Sequence, residues 1–290
     1  VAKKEKFKNL LVYDAINKIL IKNKILAPRL YNENYSNNYI EIQDFGNETI
    51  LNKLNKKKTI KFIYFKKIIQ LLNKIQLIKS RKIKTFKNKS YIIPEYNKKI
   101  LIREANLFCD WYVNNKFSRV RKDKFSKKFK KIIKKLTLNL KLKNDIFVHR
   151  DFHISNLMII KNQIGVIDSQ DALIGNKAYD LASLIDDVRF KTPKLFKDQV
   201  FSFYTNKLKK LEIDKLKNDF EILSVLRNLK IIGIFTRLAI RDGKKNYLKM
   251  IPYTWKLIHM RIKENNLFND LENLLNQYFK KKIKWKLILH

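Results

Sequence analysis

Between Val148 and Asp180 the chain reads VHRDFHISNLMIIKNQIGVIDSQDALIGNKAYD, and no other stretch restricts its fold so tightly. Two short apolar runs, Leu157-Met158-Ile159-Ile160 and Ile164-Gly165-Val166-Ile167, are rich in branched residues and are separated by Lys161-Asn162-Gln163. Runs of that length on either side of a polar turn predict a β-hairpin. The hairpin sets Asn156, at the entrance of its first strand, beside Asp168, at the exit of its second. An amide oxygen and a carboxylate at neighbouring strand ends can share one cation.

Upstream of the hairpin stands His149-Arg150-Asp151, with Asn156 five positions after the acid. This is the H-R-D-x-x-x-x-N order of a phosphoryl-transfer catalytic loop. In that order Asp151 accepts or orients the proton of an attacking hydroxyl, Asn156 holds a metal ion, and Asp168 holds the Mg²⁺ that bridges nucleotide phosphates. Phosphoryl transfer asks little covalent chemistry of a protein. It needs a positioned nucleophile and neutralised phosphate charge, so acid, amide and second acid must converge on one small volume.

The stretch resembles the aminoglycoside phosphotransferase superfamily. Three segments, His149-Arg150-Asp151-Phe152-His153, Ile167-Asp168-Ser169-Gln170-Asp171-Ala172-Leu173-Ile174-Gly175 and Ala178-Tyr179-Asp180-Leu181-Ala182-Ser183-Leu184, are similar to bacterial anomeric kinases of N-acetylmuramate and N-acetylglucosamine. Asp187 with Arg189, the segment from Arg103 to Tyr112 and that from Arg227 to Lys244 extend the likeness over most of residues 100–260, and Gln43-Asp44-Phe45-Gly46 joins it less specifically. The resemblance implies an α+β, protein-kinase-like two-lobed fold. Residues 1–49 are expected to be a truncated small lobe and hinge, and residues 50–290 a helix-rich large lobe with the catalytic loop, metal site and substrate helices. It further implies ATP and Mg²⁺, with adenine meeting the backbone of Gln43, Asp44 and Phe45. His149 and Arg150 are expected to support the loop and Asp180 to brace it. Candidates for a sugar acceptor are Asp171, Asp187, Arg189, Trp111 and Tyr112. One departure stands out: Ser169 follows the metal-binding acid where the family usually has Phe or Trp. Its chemistry should survive, but the loop is expected to be less rigid.

The amino end departs too. The expected hinge strand, Tyr39 to Gln43, arrives early, and no glycine precedes Gly46, so no glycine-rich phosphate loop is read there. Lys3 and Lys4 are read as surface lysines. The alternatives to a sugar kinase are a choline- or homoserine-type kinase, an aminoglycoside kinase and, of another class, a non-catalytic kinase-like binding or scaffold protein.

A formal charge of +39 on 290 residues raises the question of nucleic acid. The excess is mostly lysine, alongside abundant Ile and Asn, and these three share A- and T-rich codons, so base composition accounts for the charge as well as a partner would. Charge of this kind governs solubility and adhesion rather than fold. It also makes a poor host for a polycationic antibiotic, which favours neutral or anionic sugars. The run Lys116 to Lys143 carries Phe125, Phe129, Ile132, Ile133 and Leu136 at helical spacing, and reads as an amphipathic helix with a solvated lysine face. An RNA-binding module is the weaker third reading. The run Lys280 to Lys286 reads as a similar tail.

Cys109 has no second cysteine to pair with, which points to a reducing cytoplasm. His149, His153, His259 and His290 lack metal-ligand spacing. No run of ~18 uncharged apolar residues is present to span a bilayer. A monomer without a specific nucleic-acid partner is expected. Helices are expected at Lys6–Ile25, Thr59–Ile78, Leu101–Asn114, Phe125–Leu140, Ala178–Val188, Leu195–Leu211, Lys215–Arg241 and Asn246–Asn265.

Overall fold

Apolar residues Leu10, Ala15, Ile16, Ile19 and Leu20 recur at helical spacing, and they wind the first helix and bury one of its faces. The computed structural model describes residues 8–57, 62–263 and 265–279. Lys3, Lys4, His290, the Lys280–Lys286 run and the first positions of the helices expected from Lys6 and Thr59 lie outside them. In chain order the elements begin with α1 (Lys8–Lys22), β1 (Leu30–Asn34), β2 (Tyr39–Ile42), α2 (Ile50–Lys57), α3 (Phe62–Gln76), β3 (Lys82–Lys84) and β4 (Ser90–Ile92). Next come α4 (Lys98–Leu107), a π-helical stretch Phe108–Val113, α5 (Asn114–Lys116), α6 (Arg119–Leu138), β5 (Asn144–Val148), β6 (Leu157–Ile160), β7 (Gln163–Val166) and β8 (Leu173–Asn176). The helices α7 (Ala178–Ile185), α8 (Lys194–Thr205), α9 (Lys210–Ile240), α10 (Ile251–Ile262) and α11 (Asn269–Tyr278) complete them.

These elements form two compact units. The first takes the described parts of Val1–Tyr96 and Lys143–Lys209, the second those of Asn97–Leu142 and Lys210–His290. The units do not follow a division at residue 49.

In the first unit, α1 ends before the expected Ile25. Lys24 adopts φ 60, and the Ile25 N–H donates to the Leu20 carbonyl at 3.0 Å, a left-handed closure that stops a helix. The expected strand at Tyr39 is β2, paired antiparallel with β1. The sequence reading omits β1 because Leu30-Tyr31-Asn32-Glu33-Asn34 shows neither alternation nor a branched run. Strand β5 pairs antiparallel with β8, with Val148 opposite Leu173. Tyr96 donates its N–H to the Ile174 carbonyl at 2.7 Å and sets its ring edge-on to Tyr179.

The second unit is helical. Its core is aromatic: Phe108, Tyr112, Phe125, Phe129, Trp255 and Phe279 are each 4% or less exposed, and Phe108 lies within 6.1 Å of each of the other five rings, centroid to centroid. The lysine-rich helix is α6, which buries Phe125, Phe129, Ile133 and Leu136 and begins six residues ahead of the expected Phe125. Its exit is held by Asp219, whose carboxylate accepts from the Lys141 and Leu142 N–H groups at 2.7 and 2.9 Å. Among the described residues no helix is long and apolar enough to cross a membrane.

Helix α9 packs closely on the end of α4. A Cβ on Gly233 would lie 2.3 Å from the Leu107 carbonyl carbon and oxygen, which are backbone and cannot step aside. Helix propensity alone predicts that Gly233→Ala gains about 1 kcal/mol. The clash should reverse that sign and cost about 2–3 kcal/mol. Urea unfolding decides between them, and a gain in stability would refute the close approach.

Candidate active site

Strand β5 runs straight into His149-Arg150-Asp151, and the turn there is strained. Arg150 adopts φ 72, a left-handed conformation that costs an L-residue roughly 1–2 kcal/mol. Asp180 offsets that cost. Its Oδ2 accepts from the His149 main-chain N–H at 2.7 Å, and its Oδ1 from that of Arg150 at 2.9 Å. The pairing of β5 with β8 makes this possible, because α7 follows β8 at once and returns Asp180 to the end of β5. The carboxylate is 1% exposed, so these two charge-assisted bonds replace most of its hydration.

The Arg150 side chain turns the other way. It lies over the Tyr96 ring at 5.3 Å from the centroid, donates to the Asp171 carbonyl at 3.1 Å and approaches the exposed Asp171 carboxylate at 3.5 Å. His149 is fully buried against Phe152. Burial lowers its pKa and outweighs the opposing pull of the Asp151 and Asp168 carboxylates. The buried imidazole, packed beneath the loop against Phe152, supports it.

The predicted hairpin is β6–β7, in register from Leu157 opposite Val166 to Ile160 opposite Gln163. Lys161 and Asn162 form its turn with φ 43 and 66, the paired positive values that match the twist of a two-residue hairpin. Both edges are covered: Val166 N–H donates to the Leu26 carbonyl at 2.8 Å, and Ile159 N–H to that of Glu48 at 2.9 Å. At the open end, the Ile167 N–H donates to the Asn156 carbonyl at 3.1 Å, so the two flanking residues leave the hairpin side by side. Asn156 Nδ2 donates to the Asp151 carbonyl at 3.1 Å, which ties hairpin to loop and leaves Oδ1 as the acceptor. Asp168 is exposed, adopts φ 62 and accepts from Gln170 Nε2 at 2.8 Å.

One cavity of about 540 Å³ collects Gln43, Asp44 and Phe45 together with Asn156 and Asp168, with Met158 and Ile167 also in its lining. Gly165 lets the segment around Phe45 lie close on the hairpin, for a Cβ there would lie 2.8 Å from the Phe45 ring. Two hard oxygen donors at one wall fit Mg²⁺, which retains water and phosphate oxygens and needs few protein ligands. Among the described residues no group of three His, Cys, Asp or Glu is gathered to hold a metal ion. A larger cavity of about 660 Å³, lined by Lys24, Lys67 and Lys74, contains none of the candidate site residues.

The acceptor candidates are less gathered. Asp187 is buried, accepts from the Arg189 N–H at 3.0 Å and faces its guanidinium at 3.4 Å, while Oδ2 has no partner. Trp111 and Tyr112 belong to the second unit. Trp111 is half-buried. Tyr112 corrects the expectation: stacked on Phe108 at 5.3 Å, flanked by Trp255 and Phe279, and accepting from Trp255 Nε1 at 3.4 Å, it is a core residue without a free face for a sugar ring. Burial pushes its phenol up to about 12. Burial likewise pushes the Cys109 thiol up to about 12, which leaves it inert as a nucleophile.

Ser169 leaves no loose gap either. It is fully buried, and its Oγ donates to Asn17 Oδ1 at 2.6 Å. Sequence reasoning missed Asn17 and Tyr13, the latter lining the same cavity as Asp168. A signal existed, since Asp14 and Asn17 are polar positions one turn apart among the apolar residues of α1.

The family model described as phosphotransferase enzyme family matches residues 63–212. An N-acetylmuramate/N-acetylglucosamine kinase of Neisseria meningitidis is 35% identical over 167 residues, 56% of this chain and 50% of the relative. The chain thus spans half the length of that relative. One of the same name from Pseudomonas aeruginosa is 27% identical over 255 residues, covering 86% and 72% of the two chains. Among solved structures, an ADP-bound aminoglycoside phosphotransferase superposes with a TM-score of 0.56 at 14% identity, covering 89% of this chain and 86% of its own. The fold is accordingly α+β, protein-kinase-like and rich in helix.

Asp180→Asn keeps the side-chain shape but puts an amide donor against one of the two loop N–H groups. It should cost about 2–3 kcal/mol, the worth of a charge-assisted bond and an unsatisfied buried donor. Urea unfolding at neutral pH tests this, and a loss under about 0.5 kcal/mol would leave Arg150 held by something else.

Proposed function

Because the chain belongs to the phosphotransferase enzyme family, we propose that it is an ATP-dependent kinase of an amino sugar, transferring the γ-phosphoryl group to the anomeric hydroxyl of N-acetylmuramate or N-acetylglucosamine. The observation that carries this reading is the single cavity shared by residues 43–45, Asn156 and Asp168. The names of the Neisseria and Pseudomonas relatives supply the acceptor class.

In this reading residues 1–49 act as small lobe and hinge and residues 50–290 as large lobe. Adenine lies against the backbone of Gln43 to Phe45. Asn156 Oδ1 and the Asp168 carboxylate hold Mg²⁺, which when bound offsets charge on the phosphate oxygens. Asp151, fixed through its carbonyl by Asn156, takes the proton of the acceptor hydroxyl as that oxygen bonds to the γ-phosphorus and the bond to the β-phosphate oxygen breaks. His149, Arg150 and Asp180 hold the loop for that transfer. Asp171, Asp187 and Arg189 are the side chains of the first unit offered to the acceptor. The enzyme works as a cytoplasmic monomer on a small sugar, with no specific nucleic-acid partner.

Turnover of Mg²⁺-ATP with N-acetylmuramate, N-acetylglucosamine, choline and kanamycin tests the assignment. Phosphorylation of the amino sugars is expected, falling roughly 10²–10⁴-fold in Asp151→Asn. Turnover with choline or kanamycin alone would move the acceptor to another branch. A chain that neither binds nor hydrolyses ATP would sink the kinase reading.

A further inference from the structure

Asp168 stands at φ 62, a left-handed conformation that its surroundings hold in place. Gln170 holds its carboxylate from one side at 2.8 Å. The main chain is fixed by the next residue. Ser169 has no exposed surface, its carbonyl accepts from the Ala172 N–H at 3.1 Å, and its hydroxyl reaches back 152 positions to Asn17 Oδ1 at 2.6 Å.

Asn17 is itself pinned. It is 3% exposed in α1, and its Nδ2 donates to the Pro28 carbonyl at 3.0 Å, so the amide spends one end on the segment leading to β1 and the other on Ser169. Tyr13, one turn earlier, shares that amide and lines the cavity beside Asp168. A polar bridge thus runs from α1 to the loop that presents the carboxylate. An aromatic residue at 169 would make such a connection by packing, whereas this chain makes it with a directional bond.

We propose that Asn17 and Ser169 are positioning residues that hold the Asp168 carboxylate in its metal-binding pose, so that α1 fixes the cation site through a single buried hydrogen bond. The inference rests on the kinase reading, since it takes Asp168 as a ligand of Mg²⁺. It differs from a packing role in what it predicts. A residue that merely stabilises the unit changes unfolding, whereas one that sets Asp168 changes the metal-dependent part of nucleotide binding.

Isothermal titration with a non-hydrolysable ATP analogue, in excess Mg²⁺ and again with Mg²⁺ chelated, separates the two. Ser169→Ala leaves the buried Asn17 oxygen unpaired and frees the loop. It should weaken Mg²⁺-dependent binding roughly tenfold while leaving metal-free binding within about twofold. Ser169→Thr, which keeps the hydroxyl, should restore most of the difference. Asn17→Asp, which keeps the acceptor but loses the donor to Pro28, should retain more Mg²⁺-dependent binding than Ser169→Ala even where its melting temperature is lower. Equal weakening with and without metal, or a lowered melting temperature with metal dependence intact, overturns the positioning role. A wild-type chain that binds no Mg²⁺-nucleotide brings down the kinase reading, and this inference with it. A wild type that binds, beside an unaffected Ser169→Ala, brings down this inference alone.

Discussion

The buried carboxylate of Asp180 is the interaction on which the site depends. It satisfies two main-chain donors at the exit of β5, on either side of the peptide that enters the left-handed turn at Arg150. The direction in which the chain leaves β5 fixes where Asp151 begins, and the Asp151 carbonyl in turn fixes Asn156. One acid therefore orders a sequence of contacts from α7 to the hairpin. The cost of dehydrating that acid is recovered in bonds that water cannot contest, so its charge can lie at 1% exposure.

The second strained residue, Asp168, is handled by different means. Its neighbours Ser169 and Gln170 are neutral, and so is Asn17. Under the proposed function an uncharged clamp suits Asp168, because a cationic partner would compete with a metal ion for the same oxygens. The two left-handed residues are thus held by opposite means, a buried anion beneath Arg150 and neutral side chains around Asp168.

Much of this was legible in the sequence. The β6–β7 hairpin follows from two branched apolar runs and a polar turn, and its register puts Asn156 and Asp168 together with no further information. The amphipathic α6 follows from the spacing of Phe125, Phe129, Ile133 and Leu136. Elements without such patterns were lost: β1 is polar, and β3 and β4 have three residues each, too few for any alternation to register. Contacts between distant positions were lost for another reason. The bond between Asn17 and Ser169 depends on how α1 lies against a loop 152 residues away, and hydrophobic periodicity records only that each helix has an inner face. Tyr112 was misjudged because an aromatic residue suits a sugar platform and a core equally well. Burial against Phe108, Trp255 and Phe279 decides it, and sequence does not report burial of that kind.

The hairpin also sets the evolutionary latitude of this region. Its strands act as a fixed-length spacer between two oxygen donors, and a one-residue insertion within either would turn every later side chain to the opposite face. The turn at Lys161 and Asn162 lies at the far end from the donors and is exposed. The turn can therefore change in charge or length without moving the donors, while the eight residues of β6 and β7 admit exchanges of side chain but not of length.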